Sequence, residues 1–248
     1  LADELQSGAG YAVIRPRCHK QLEEFRNRLL VKTNADTINQ LRRRLVSNSN
    51  AELNEIMLQL LSFTEASGML AEAFSDHIRA LCGHEIFLQR RANVIMNLPG
   101  DNQRHQWPHY ELMSGISPST YAIWMPLHDL LDDGGMFYIP DKESFGVMQQ
   151  EHALGTVNSP YMFNSIVNRQ VPKLEFGEAL IFNPFVIHGN VEFDSVLARV
   201  AVSFRFQSML PCVGSFYSIT RSPSKNSRGS PQHSNVFYRL VSWTVFTN

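Results

Sequence analysis

Apolar residues recur at helical spacing through the first third of the chain. The segment 16–30 has one apolar face and charged residues between its members, which predicts an amphipathic surface helix. The apolar positions of this face are Leu22, Phe25, Leu29 and Leu30. Residues 36–45 fit a second helix, and residues 50–70 fit a third and longer one. The pattern therefore predicts a helical segment over residues 1–80.

From Ile86 onward, short apolar or alternating runs replace the helical spacing, and turn residues such as Pro99-Gly100 separate them. The runs cover residues 86–97, 121–127, 135–139, 179–183 and 197–206. No helical pattern alternates with these runs, which argues against a doubly wound parallel sheet. We therefore predict a mainly β chain with an α-helical N-terminal third, its strands forming a sandwich or barrel.

The length of 248 residues suits one domain with a single large core. Within that domain we expect residues 1–80 to form a helical buttress, residues 86–210 a β core, and residues 211–248 a loop and C-terminal segment. Residues 222–234 are rich in Ser, Pro, Lys and Gly, a composition that predicts a mobile loop.

Composition and charge narrow the class of partner. The chain is 44% hydrophobic and 18% charged, as in ordinary globular proteins. Its 22 Lys and Arg nearly balance 23 Asp and Glu, so we expect no nucleic acid and no membrane as partner. Three widely spaced cysteines, Cys18, Cys82 and Cys212, support no disulfide framework. With no secretion signal in the first ten residues, this favours a cytoplasmic protein; the oligomeric state stays open.

The triplet His109-Tyr110-Glu111 carries the first candidate metal ligands. On a strand, residues i and i+2 project to the same face, so His109 and Glu111 can both point into a barrel and bind one ion. A surface turn after Pro108 would explain the triplet equally well, so the motif needs a third ligand. His188 offers it at the end of an apolar run, although a lone histidine there is more often a core or turn residue.

A strand with inward-facing arginines follows eleven residues after His188. In residues 199–206, Arg199, Ser203 and Arg205 share one face and apolar side chains share the other. Packing of the apolar face against another layer turns the arginines inward, where a guanidinium requires an anion. Its planar fork suits a carboxylate, either of a bound molecule or of the protein itself. Two histidines and a carboxylate with open metal positions are typical of non-haem Fe(II) oxygenases.

Six segments in chain order carry a family resemblance. They are Gly10–Arg15, Asn93–Gly100, His109–Glu111, Ile123–Leu127, Gly134–Pro140 and Phe176–Asn190. Together they are similar to the phytanoyl-CoA dioxygenase family of Fe(II)/2-oxoglutarate-dependent oxygenases, over most of the chain. The last segment is the most specific match, because both its strand and its His-Gly turn agree. Two features depart from the family: Glu111 replaces the usual Asp, and Asp141-Lys-Glu-Ser144 follows Pro140 where the family often continues Gly-Ser-His.

The resemblance implies a double-stranded β-helix, the cupin-like jelly roll, that uses Fe(II), 2-oxoglutarate and O2. It implies Fe(II) binding by His109, Glu111 and His188, with no catalytic residue beyond this metal centre. Arg199, assisted by Ser203, would hold the C5 carboxylate of 2-oxoglutarate. The further residues expected to line that pocket are Trp124 and Asn190.

Polar and aromatic residues near the expected site favour a small-molecule substrate. They are Gln103, Arg104, Trp107, Tyr110, Tyr161 and Arg169. The overall pattern resembles bacterial, sugar-cluster-associated members of the family, which implies hydroxylation of a small polar, carbohydrate-related molecule with release of succinate and CO2. Two alternatives stand beside this hypothesis: a metal-dependent jelly-roll isomerase or epimerase, which would not need the inward arginine, and a non-catalytic sugar-binding module supported only by Glu111.

Overall fold

The structure is a computed structural model that describes residues 5, 9–100, 108–131, 135–155, 162, 166–191, 195–209 and 243–246. Its helices are α1 (His19–Lys32), α2 (Ile38–Ser47), α3 (Asn50–Leu61), α4 (Ala66–Ala73), α5 (Ser75–Cys82) and α6 (Asp141–Leu154). Its strands are β1 (Tyr11–Ile14), β2 (Ile86–Gln89), β3 (Asn93–Asn97), β4 (Thr120–Pro126), β5 (Met136–Tyr138), β6 (Ala179–Phe182), β7 (His188–Asn190), β8 (Arg199–Ser208) and β9 (Trp243–Phe246). The predicted loop at 222–234 and Cys212 lie outside the described residues.

Side-chain caps set the start of two N-terminal helices. Helix α2 begins after Thr37, whose hydroxyl accepts a hydrogen bond from the Gln40 amide at 3.1 Å. Helix α3 begins with a reciprocal capping box between Ser49 and Glu52. The predicted helix over residues 50–70 is instead two helices, because α3 ends at Ser62, where the hydroxyl donates to the Gln59 carbonyl. Among the described residues, no helix combines the length and apolar character needed to cross a bilayer.

Two antiparallel sheets form the β part of the protein. The larger sheet has the order β1-β6-β4-β8-β2-β9, and β3 also pairs with β8. The smaller sheet pairs β5 with β7, and single bridges extend it: His109 pairs with His188, and Tyr138 pairs with Gln170. Every strand pair in the described part is antiparallel, which confirms that the fold is not a doubly wound parallel sheet.

Alternation along β8 divides the two sides of the larger sheet, as the sequence predicted. Val200, Val202, Phe204 and Phe206 belong to a buried cluster with the apolar faces of the N-terminal helices. Ala201, on the opposite face, packs in a second cluster with Trp124 and Phe182, which lies between the sheets. The helices therefore buttress the outer face of the larger sheet, and the inner face is left for the candidate site.

The prediction of a mainly β chain is wrong about the relative amounts of helix and strand, because more of the described residues lie in helices than in strands. Helix α6 was missed, although the sequence carries its signals. Acidic residues Asp141 and Glu143 occupy its first turn, and Gly155 ends it at φ 64°. The hydroxyl of Ser144 accepts a hydrogen bond from the Ile187 amide at 2.9 Å, and so α6 holds the smaller sheet one residue before His188.

Because Phe25 is buried within the helical layer, we expect its truncation to lower the stability of the protein strongly. Phe25 of α1 is fully buried and stacks on Phe63 at a centroid distance of 5.4 Å. We expect Phe25→Ala to lower the free energy of unfolding by about 3–5 kcal/mol in urea titrations. Val31→Ala, on the same helix at a position 79% exposed, should change it by less than about 0.5 kcal/mol. Similar losses in both variants would contradict the buttress assignment.

Candidate metal centre

Three predicted ligands meet on the inner side of the smaller sheet. His109, Glu111 and His188 each offer one donor atom, and these atoms all lie within 4.8 Å of one another. Glu111 and His188 are buried, and His109 is partly exposed. Nε2 of His188 is 3.7 Å from Oε1 of Glu111. Bonds of about 2.1 Å place two ligands of one ion up to about 4.2 Å apart, so this pair fits a single metal without rearrangement.

Backbone hydrogen bonds bring the two histidines together. The amide of each donates to the carbonyl of the other at 2.9 Å, which forms an antiparallel bridge between His109 and His188. Their rings lie at a centroid distance of 4.3 Å. The expected strand does not continue to Glu111, which instead begins a 3-10 helix, Glu111–Ser114. Tyr110 between them is extended, so the predicted i and i+2 alternation still turns both ligands to the same side.

His188 is held in the form that binds a metal. Nδ1 lies 2.9 Å from the Val186 carbonyl oxygen, so this nitrogen donates and Nε2 keeps its lone pair. Burial lowers the pKa of His188 well below its usual value, and the nearby His109 and Arg205 lower it further. The imidazole is therefore neutral near pH 7, as metal coordination requires.

Glu111 forms a two-point salt bridge with Arg205. Nε of Arg205 donates to Oε2 at 2.7 Å, and Nη2 donates to Oε1 at 2.9 Å. The side chain of Glu111 is 3% exposed and that of Arg205 is 13% exposed. Sequence reasoning placed Arg205 on the inner face but missed this partner, because the pairing joins positions 94 residues apart. One of the two inward arginines thus has its anion within the protein.

Arg199 lies at the other end of the inner face of β8. It is 1% exposed, and burial lowers its pKa to about 10. Its guanidinium donates to Oδ1 of Asn97 at 3.0 Å and to the carbonyl of Gly135 at 2.6 Å. Gly135 also accepts from the Val191 amide, so the same carbonyl ties Arg199 to the end of β7.

The other residues predicted for the co-substrate pocket lie on this inner surface. Trp124 and Ser203 are buried and directly opposite each other on β4 and β8. Asn190 lies two residues after His188 on β7, so both side chains project to the same face. Nδ2 of Asn190 is a buried donor without a hydrogen-bond partner in the described part of the chain. An orphaned donor of this kind fits a pocket that takes a polar ligand.

The predicted substrate residues are less well supported by position. Tyr110 packs beside Ile139, Val147 and Ile187, on the opposite side of the extended segment from His109 and Glu111. Burial, with the charge of Glu151, raises the pKa of this Tyr. Arg169 is exposed at the surface. The remaining four, Gln103, Arg104, Trp107 and Tyr161, lie outside the described residues.

A tyrosine pair beside His188 was not predicted. Tyr138 is directly opposite His188 in the smaller sheet, and its ring lies 3.7 Å from that of Tyr11. Both phenols donate to Oε1 of Gln170, at 2.9 and 3.0 Å. Burial raises the pKa of Tyr138, so it stays a neutral donor. The alternation of β5 was the available signal, since Met136 and Tyr138 share a face.

The fold of this chain is similar to the folds of several solved structures. EctD from S. alaskensis with bound Fe matches with a TM-score of 0.54 and 16% identity, over 84% of this chain and 75% of that chain. HygX from Streptomyces hygroscopicus with nickel and 2-oxoglutarate bound matches with a TM-score of 0.51 and 14% identity, over 84% of this chain and 86% of that chain. The non-heme monooxygenase ThoJ in its Ni complex matches with a TM-score of 0.52 and 14% identity, over 84% of this chain and 76% of that chain.

At these identities the likeness concerns the fold. No protein-family model matches the sequence, and no curated protein matches it. The chain is therefore similar in fold to these metal-binding proteins, one of which is a non-heme monooxygenase, and it brings a His-x-Glu and a distant His together at one point of that fold.

The lowered pKa of His188 predicts acid sensitivity of the metal-free protein. Below about pH 6.5 the unfolded chain binds a proton that native His188 rejects, so the free energy of unfolding falls as the pH drops from 7 to 5. This residue contributes at most about 1.4 kcal/mol per pH unit. Urea titrations with EDTA should show a smaller loss in His188→Gln. Equal losses in both proteins would mean that His188 is not a buried neutral imidazole.

Proposed function

We propose that the protein is an Fe(II)/2-oxoglutarate-dependent oxygenase that hydroxylates a small polar substrate. The observation that carries the proposal is the convergence of His109, Glu111 and His188, whose donor atoms lie within 4.8 Å of one another. Two imidazoles and one carboxylate on one side of an ion leave positions open for a bidentate 2-oxo acid and O2. The iron of related folds, in EctD, and the 2-oxoglutarate of HygX support the same assignment.

The strand pairing supports a double-stranded β-helix. The chain passes alternately between the sheets: β3 in the larger, His109 in the smaller, β4 in the larger, and β5 in the smaller. The second half repeats the alternation with Gln170, β6, β7 and β8. Each sheet thereby interleaves strands of both halves, an arrangement that supports the jelly roll. Its inner surface encloses the three ligands.

The two inward arginines have separate roles in this proposal. They lie six positions apart on β8, which is about 20 Å of extended strand. Arg205 is engaged with the ligand Glu111. Arg199 shares the inner face of β8 with Ser203, which lies opposite Trp124, and the Gly135 carbonyl that Arg199 contacts precedes Met136, the strand partner of Asn190. Arg199 is therefore the residue that would bind the C5 carboxylate of 2-oxoglutarate, with Ser203 and Asn190 as further donors.

Bound Fe(II) would supply O2 activation coupled to the decarboxylation of 2-oxoglutarate to succinate and CO2. The chain itself contributes orientation and exclusion of water. Val186 fixes the tautomer of His188, and Trp124 and Phe182 present apolar surface to the site. An isomerase that uses the same ligands without O2 would need no buried arginine at position 199, and so it explains less of the inner surface.

The first test measures succinate. Purified protein with Fe(II), O2 and 2-oxoglutarate should form succinate slowly without substrate and faster with suitable polar molecules, including sugars. His188→Ala should abolish both succinate formation and stoichiometric Ni²⁺ binding in calorimetry, because the site loses one of three ligands. The matched control, His84→Ala, removes an exposed histidine and should retain both. Full metal binding by His188→Ala would refute the ligand assignment.

The second test concerns the co-substrate. Loss of a charge-assisted pair with a buried partner costs about 2–5 kcal/mol, so Arg199→Ala should raise the 2-oxoglutarate requirement by roughly 30-fold or more. Ni²⁺ binding should persist, because Arg199 is not a ligand. Arg42→Ala, at another buried arginine that contacts the Ala198 carbonyl from α2, should leave the requirement unchanged. An unchanged requirement in Arg199→Ala would favour the isomerase.

A further inference from the structure

The carboxylate of Glu111 is placed to contact two cations at once. The guanidinium of Arg205 engages both oxygens, at 2.7 and 2.9 Å. One of these oxygens, Oε1, is also 3.7 Å from Nε2 of His188, on the side where the three donor atoms converge. Each carboxylate oxygen has two lone pairs, so a fork on one side leaves acceptor capacity toward a metal on the other.

The length of the Glu111 side chain suits this double contact. Its backbone leaves the smaller sheet and enters the 3-10 helix, whereas Arg205 projects from the larger sheet, opposite Ala122. An aspartate at position 111 would be shorter by one carbon–carbon bond, about 1.5 Å. A shorter carboxylate cannot keep hydrogen bonds of 2.7 and 2.9 Å to Arg205 and still reach toward His188.

Arg205 is itself held in place. Strand β8 pairs with β4 on one side and with β2 and β3 on the other, so its backbone is fixed within the larger sheet. Nη1 of Arg205 donates to Oε1 of Gln89 at 3.4 Å, and Gln89 is 7% exposed. The guanidinium plane of Arg205 is therefore fixed before any metal binds. The Glu111 carboxylate, which accepts two hydrogen bonds from it, is fixed with it.

We propose that Arg205 is a positioning residue for the metal centre, acting through Glu111, and that the glutamate is used because only its length satisfies both the fork and the metal. The inference rests on the proposed metal centre and adds a role for a residue that touches neither metal nor co-substrate. Loss of a partner that orients a metal ligand typically weakens metal binding by about 10–100-fold.

Arg205→Lys separates orientation from charge. The positive charge by itself opposes binding of a divalent cation, so a neutral replacement would change two effects of opposite sign. Lysine keeps the charge and loses the planar fork. If orientation matters, Arg205→Lys should raise the Kd for Ni²⁺ by about tenfold or more. It should also alter the visible absorption spectrum of the Co²⁺-loaded protein, which reports ligand geometry and which a general loss of stability would not change.

The experiment compares four proteins by calorimetry with Ni²⁺: wild type, Arg205→Lys, Glu111→Asp and the double variant. In the Glu111→Asp background the fork is already out of reach, so Arg205→Lys should change the Kd by less than about threefold there. Arg42→Lys, at a buried arginine far along the sequence in α2, is the matched control and should bind Ni²⁺ as wild type does.

Two results would overturn the inference: an unchanged Ni²⁺ affinity in Arg205→Lys, or an equal loss in the wild-type and Glu111→Asp backgrounds. If Arg205→Lys does not fold, Gln89→Met removes the support of the guanidinium, and an affinity equal to that of wild type would overturn it as well. Wild-type protein that binds no Ni²⁺ would refute the metal centre and this inference together. Metal binding without succinate formation would refute only the oxygenase, while the four affinities would still decide the role of Arg205.

Discussion

The burial of one carboxylate constrains the rest of the site. Glu111 is 3% exposed, and an ionised carboxylate that is buried to this degree requires compensation by charge and hydrogen bonds. Arg205 provides both, and this places demands on its neighbours. Strand β8 must present an arginine inward at the place where the smaller sheet ends, and β2 must offer Gln89 beside it. The two sheets are thereby fixed relative to each other by a polar contact within a largely apolar interior.

The helical layer allows that interior to be polar. Residues of β8 that face α1–α5 are uniformly apolar, and Phe25 and Phe63 lie at the centre of that layer. Burial of apolar surface there supplies favourable free energy that does not depend on the inner face. The inner face can therefore carry two arginines, two histidines and a glutamate, which would destabilise a protein whose only core lay between the sheets.

Alternation explains why so much of the inner surface could be predicted. The strand periodicity of residues 199–206 places Arg199, Ser203 and Arg205 inward, and the structure confirms it. The triplet at His109 and the run before His188 likewise predict three candidate ligands, and the structure brings their donor atoms together. Periodicity concerns single strands, however, and it says nothing of which strands lie opposite each other. The partner of Arg205 was missed for that reason, as was the meeting of Tyr11 with Tyr138.

Chain segments with mixed signals were harder to interpret. Helix α6 follows Pro140 inside a region dominated by strand patterns, and Gly146 in its middle weakens the helical signal. Tyr110 was expected near the substrate because of its chemistry, but alternation alone places it opposite His109 and Glu111. The helix-end signals of α6 and the alternation around Tyr110 were both present in the sequence. They were given less weight than the neighbouring strand pattern and the chemistry of the tyrosine side chain.

The mutual hydrogen bonds of His109 and His188 have a consequence for folding. Residues far apart in the chain close this bridge, and the fork of Arg205 reaches across an even longer interval to Glu111. Contacts of such sequence separation form slowly, because loop entropy is lost before the contact is made. The cluster of His109, Glu111 and His188 is therefore complete only once both sheets have closed, and the metal that we propose it binds would be acquired at the last stage of refolding.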